Sequence, residues 1–277
     1  VQIIVGYRDR NLFLKEELEK YRRELKPGDI ALLGCLTEGG QGLATANNGK
    51  YVAVRSSTKW ANNIRISRPK KLAEAIAKYK INIPQMFGFT STQDFLQSLT
   101  EHEIASLFDN LKERYGRDIF GQGYIYKIVD DDEIADVNGL SDDDKENGIE
   151  SEHKYYVPYD KGDKDGNRWY LETPFAIAWS KENVHFLKTN SGKKGEGMPV
   201  VRNPQFYFRE GFCWNNILNP EARLLKVKLK KASVNDVGSM SLMPICPLTP
   251  CLYLLCLLNS NLIFDYYRVF VNCSVNI

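Results

Sequence analysis

Histidine is scarce in this chain. Its 277 residues hold only His102, His153 and His185, too scattered to support a Ser/His/Asp or Cys/His catalytic set. The six cysteines, at positions 35, 213, 246, 251, 256 and 273, form no Cys-x-x-Cys and lie far from the histidines, so the usual zinc spacings are missing. Reduced, buried thiols in a cytoplasmic protein are the expected reading. No apolar run reaches the ~20 residues of a membrane span. The best stretch, Met243 to Leu258, is broken by Pro244, Pro247 and Pro250 and followed by Asn259, Ser260, Asn261 and Asp265, which predicts a buried core helix and no membrane partner. A basic-then-apolar signal is also lacking, and the chain opens at Val1 without Met, which suggests a fragment of a longer protein. No Gly-Lys-Ser/Thr follows the glycine-rich stretch Thr37–Gly49, and a strand rather than a helix is expected after it, so it is no phosphate-binding loop.

Charge is present but unevenly placed. Asp130 to Glu152 carries eleven acids against the single base Lys145, a net −10; with +2 overall, the remainder carries +12. Such a basic excess suits a polyanion partner. The acidic stretch is poor in large apolar residues and reads as an exposed, mobile linker facing away from any nucleic acid.

Periodicity outlines the elements. Leu14, Leu18, Tyr21 and Leu25 recur at helical spacing and stop at Pro27-Gly28. A buried strand is expected over 29–35 and another over 50–55. Ser67 to Lys80 reads as a helix with Pro69 near its start and Leu72, Ile76 and Tyr79 on one face. Thr100-x-x-Glu103 is a capping box leading a stripe of Ile104, Leu107, Phe108, Leu111 and Tyr115. Strands are predicted over 124–129, 154–157, 175–179, 184–187, 205–209 and 224–230. In the last, Val227 and Leu229 alternate with Lys226, Lys228 and Lys230, giving one apolar and one basic face. Thr249-Pro250 caps a helix through Leu252, Leu255 and Leu258.

Several candidate sites fail on chemistry. Asp163, Asp165, Gly166 and Glu172 match calcium-loop positions, but Lys161 stands where the first carboxylate belongs. Asn203-Pro204-Gln205-Phe206 resembles the catalytic Asn-Pro-Pro-aromatic motif of amino-methyltransferases, yet Gln205 replaces its second proline and no glycine-rich cofactor loop lies upstream. Glu24-Leu-Lys26 has nuclease spacing, but only Asp9 stands upstream and the segment ends a helix.

Binding chemistry remains. Tyr156–Tyr170 and Asn203–Trp214 interleave aromatic rings with Lys and Arg, and Gly or Pro bends them at short intervals. Such surfaces pair with phosphate through cations and pack on sugars or bases through rings. Lys188, Lys193, Lys194, Arg202 and Arg209 bracket the flexible Ser191–Gly197 segment. Lysines there suit a phosphate backbone, and arginines suit guanine edges.

These segments resemble the target-recognition region of type IIG restriction–modification polypeptides and related adenine-specific DNA methyltransferases, including those of phage-exclusion systems. There a Trp-x-Pro-Tyr-x-Lys-Gly-Gly…Arg-x-Trp-Tyr-Gly stretch precedes Asn-Pro-x-aromatic-aromatic-Phe/Lys-x-x-Gly-x-Thr/Ser-Trp. The chain departs at Asp163, Leu171 and Cys213. Gln41, Gly42, Leu43, Thr45, Asn48, Tyr51 and Val52 match a further family segment, with Ala46 for its glycine, and Leu257–Phe264 is similar to a family helix.

The resemblance implies an α+β fold: a twisted, largely antiparallel sheet with flanking helices and a helical insertion. Residues 1–66 would form the first part of a recognition domain, 67–129 the insertion, 130–153 the acidic linker and 154–277 the main part, truncated at its C-terminal edge. The implied function is sequence-specific binding of double-stranded DNA for a methyltransferase domain of the same chain. Gln41, Thr45, Asn48, Lys50, Lys161, Arg168, Lys188, Lys193, Lys194, Arg202 and Arg209 are the candidate contacts, and Trp169 is expected in the core. S-adenosylmethionine and any endonuclease activity would belong to the parent polypeptide. This fragment would carry neither cofactor nor metal. A separate specificity subunit and a stand-alone metal-dependent nuclease stay open as alternatives.

Overall fold

The computed structural model describes residues 15–26, 36–116, 119–120, 126–161, 168–215, 225–245 and 250–270. The strand expected over 29–35, residues 162–167 of the calcium-like loop, and Cys35, Cys246 and Cys273 lie outside them. The fold is α+β, with antiparallel and mixed sheets flanked by helices. The chain divides into two discontinuous units. The first comprises 1–44, 159–173 and 200–277, the second 45–158 and 174–199.

Among the described residues the first unit begins with helix α1 (Lys15–Glu24), where the periodicity places it. Its sheet has the order β1-β9-β6-β7, built from β1 (Thr37–Gly40), β6 (Gly211–Asn215), β7 (Lys228–Lys230) and β9 (Ser239–Pro244). Every pairing is antiparallel. Phe212, Trp214, Leu229, Met240 and Leu242 fall on one face. They pack with Leu254, Leu255 and Leu258 of helix α9 (Cys251–Leu258) and Phe264 of helix α10 (Asn261–Phe270). Asn259, just past α9, is buried and stands in for a strand: its Nδ2 donates to the Val227 carbonyl (2.8 Å) and its Oδ1 accepts from the Val227 N–H (3.0 Å). The last residues of β4 (Tyr156–Asp160) pair in parallel with β8 (Val234–Asn235). Gly42 is required beside β8, because a Cβ there would meet the Asn235 carbonyl oxygen at 2.0 Å.

In the second unit the strand order is β3 (Lys127–Val129), β2 (Val52–Arg55), β5 (Phe175–Ala178), β4. β2 runs parallel to β3 and antiparallel to β5. The short helix α2 (Asn48–Tyr51) leads into β2, and the helical block sits between β2 and β3 in the chain. Helix α3 (Lys59–Lys78) begins eight residues before the expected start, because the Thr58 hydroxyl caps it by accepting from the Ala61 N–H. Pro69 therefore lies inside the helix rather than near its start. Helices α4 (Ile83–Met86), α5 (Thr92–Ser98) and α6 (Glu101–Tyr115) follow. The Thr100–Glu103 capping box of α6 is formed in both directions. Leu72, Ala75, Ile76, Ile81, Phe95, Leu96, Phe108 and Leu111 make the core of this block.

Three expectations need correction. Residues 184–187 are helical, within α8 (Lys181–Thr189), capped by Ser180. Val184 and Leu187 are spaced for one helix face, and both are buried. Residues 204–206 form a 3-10 turn after the left-handed Asn203, and the strand begins only at Gly211. The acidic segment is not a bare loop. It folds into 3-10 turns at 131–133 and 137–139 and helix α7 (Asp142–Asn147), whose capping box pairs Ser141 with Asp144. Carboxylates in a first helical turn face the positive end of the helix dipole, which suits this density of Asp. Backbone bonds from Ala135 to Tyr156 (2.8 Å) and from Ile149 to Trp179 (2.8 Å) tie the segment into the unit.

Candidate functional site

Opposite its helix-covered face, the sheet of the first unit carries Cys213, Lys228, Lys230, Ser239 and Ser241, and all five are buried. The basic face read from 224–230 is thus enclosed at Lys228 and Lys230, while Lys226 is half-buried. Its counter-charge comes from Asp160, which accepts from Lys228 Nζ (3.2 Å) and from the Cys213 thiol (2.8 Å). Burial, with Asp160 adding to it, pushes the Cys213 thiol well above its ordinary pKa, so it stays a thiol rather than a nucleophilic thiolate. Burial also pulls Lys230 down to about 8, against the opposing charge of Asp160. Lys230 Nζ donates to the carbonyls of Arg209 (2.6 Å), Lys231 (3.1 Å) and Ser233 (3.3 Å).

This buried layer anchors one candidate residue of the unit directly, Arg209. Lys230 holds the backbone of Arg209, whose guanidinium lies 5.6 Å from the Phe206 ring centroid and 3.5 Å from Glu38. The side chain of Asn203 bonds the Gln41 carbonyl (2.8 Å), which brings the exposed Arg202 to the same end of β1. The Tyr207 hydroxyl donates to the Arg202 carbonyl (3.0 Å), and burial pushes that phenol above its usual value. Lys161 Nζ is 3.8 Å from Asp236, which also accepts from the Tyr159 hydroxyl.

Trp169 corrects the core assignment, being 43% exposed, with Tyr170 at 49%. Two ladder bonds hold Trp169 beside β7, its N–H to Val227 (3.0 Å) and its carbonyl from Leu229 (2.8 Å), with φ at +71°. A left-handed backbone at a bulky residue costs of order 1–3 kcal/mol and persists only where neighbours enforce it. Arg168 lies 5.4 Å from the Trp169 ring centroid, and Lys231, a residue the sequence did not single out, lies 5.4 Å from that of Tyr170. The result is a ledge of two exposed rings, each carrying a cation.

The other candidates belong to the second unit. Thr45 is buried, its hydroxyl spent on Asn48 Oδ1 (2.6 Å). Exposed Lys50 lies 5.1 Å from the rings of both Tyr51 and Phe186. Lys188 bonds Asn147 (3.2 Å) and lies 3.9 Å from Glu146, so a candidate phosphate contact meets the acidic segment expected to face away from nucleic acid. Lys193 bonds Asn190 (3.0 Å), and Lys194 is exposed. The eleven residues therefore fall into two sets: Gln41, Lys161, Arg168, Arg202 and Arg209 in the first unit, and the remaining six in the second.

Among the described residues no group of three or more His, Cys, Asp or Glu could hold a metal ion, and no helix is long and apolar enough to cross a membrane. No protein-family model matches the chain, and no curated protein matches it significantly.

Proposed function

We propose that this chain recognises a specific sequence in double-stranded DNA as part of a restriction–modification polypeptide, placing a short target for an adenine methyltransferase domain. The chain itself binds. The reaction, its S-adenosylmethionine and any nuclease activity belong to other parts of that polypeptide. Support comes from the two aromatic–basic segments and, above all, from the ledge of Arg168, Trp169, Tyr170 and Lys231. An arginine on an exposed ring offers a planar fork for a base edge or phosphate, and the ring offers a stacking face.

The test is selection of a preferred duplex from a randomised pool, followed by anisotropy titrations at low salt. R168A should cost ~1–3 kcal/mol on the selected duplex and little on others. Alanine at Lys193 or Lys194 should weaken all duplexes alike and lower the salt slope by about one for each phosphate no longer neutralised. The proposal fails if no duplex is enriched, or if neither the ledge nor the lysine variants change binding.

A further inference from the structure

The helical block of the second unit contains a cavity of about 310 Å³ lined by Arg65, Ile66, Arg68, Glu101 and Ile104. Arg68, on α3, is only 5% exposed. A guanidinium at that depth stays charged and needs its N–H groups matched. It makes one long bond, from Nη2 to the Tyr126 carbonyl (3.4 Å), and lies 5.4 Å from the Phe108 ring centroid. Its Nε is buried and has no partner among the described residues. Nε and Nη2 form the edge of a guanidinium that takes both oxygens of a carboxylate. Burial lowers the pKa of Arg68, Asp109 and Glu101 oppose that, and Arg65 adds to it.

Arg65 indicates the anion this cavity favours. Its Nε donates to Glu101 Oε1 (2.7 Å), while its Nη1 donates to the Ser56 carbonyl (3.0 Å) and Asn62 Oδ1 (3.2 Å). The Glu101 side chain is 67% exposed and so is easily displaced. Ile66 and Ile104 supply apolar wall beside the two arginines. The volume stands at the lower end of small-molecule cavities, roughly 300–1,000 Å³.

We propose that this cavity binds a small organic carboxylate: its anionic head takes Arg65 from Glu101 and reaches Arg68, and its aliphatic body lies against Ile66 and Ile104. The site is independent of DNA reading. Glu101 acts as a built-in competitor, so weakening it strengthens the ligand.

Calorimetric and NMR titration of the whole chain with isovalerate, isovaleramide and inorganic phosphate tests this. Isovalerate should bind saturably and shift the amides of residues 65–68 and 101–104, with the amide analogue inert and phosphate weaker. E101Q should tighten isovalerate about fivefold, the scale of an exposed ion pair. R65Q should abolish binding while circular dichroism and thermal unfolding stay as in the unmutated chain. No saturable binding in either the unmutated chain or E101Q overturns the proposal, as does binding of isovaleramide or phosphate as tight as isovalerate.

Discussion

Lys230 shows how far a single side chain can depart from its pattern in sequence. Its ammonium is enclosed by three carbonyls, and its pKa is drawn down to about 8 by burial. The unfolded chain holds that proton up to the ordinary lysine value of ~10.4. Between these two values the unfolded state binds more protons at this lysine, so the Lys230 contribution to stability should rise with pH across this window and show no slope below it. The buried Cys213 thiol, held well above its ordinary value, and Tyr156, pushed up to about 12 by burial, act in the opposite sense above about pH 8.5 and about pH 10, so the Lys230 slope is the difference between the original chain and one without that lysine. Urea unfolding at about pH 7 and about pH 9.5 should therefore show a change in stability that is more favourable with rising pH in the original chain than in K230M. K230M should also destabilise the chain by ~1–3 kcal/mol through its unmatched carbonyls. An unchanged pH slope in K230M would refute the assignment. The alternation of lysine with Val227 and Leu229 separated the two faces correctly. It could not say that both were dry, because Asp160 arrives from 68 residues away. Trp169 was misplaced for a similar reason: aromatic residues are usually buried, and only the ladder to Val227 and Leu229 turns this one outward.

Elements were legible where a cap and an apolar stripe coincide. α6 has both, and T100A should cost ~1 kcal/mol by removing the side-chain half of its capping box. Chemical denaturation would measure that loss, and a T100A chain as stable as the original would show the cap to be energetically idle. α3 was read late because Pro69 looks like a first-turn proline, while the earlier Thr58 cap carries no acidic partner. α8 reads as a strand in the sequence because its apolar positions span too few residues to settle a period. β1 contains two glycines, and its identity as a strand comes from pairing with β9 rather than from local propensity. Of the candidate site, the Arg168–Tyr170 segment was visible in the sequence. The Arg65–Arg68 cavity was not, since nothing in a helical repeat marks which arginine is buried.

For the whole molecule, composition suggested a charged tether and the fold made it a built-in part. The bonds from Ile149 to Trp179 and from Lys181 to Ile149 predict slow amide exchange at Ile149 and Lys181. Uniform, rapid exchange throughout 130–152 would restore the linker reading. The larger consequence lies in the interleaved order of the two units. Every segment of the second has been synthesised by residue 199, whereas β1 of the first must wait for β9, at 239–244. A nascent chain can thus complete the later-starting unit first. Meanwhile Thr37–Gly40 stays without its strand partner until β9 is made, a long-range closure of the kind that slows folding and exposes chains to aggregation.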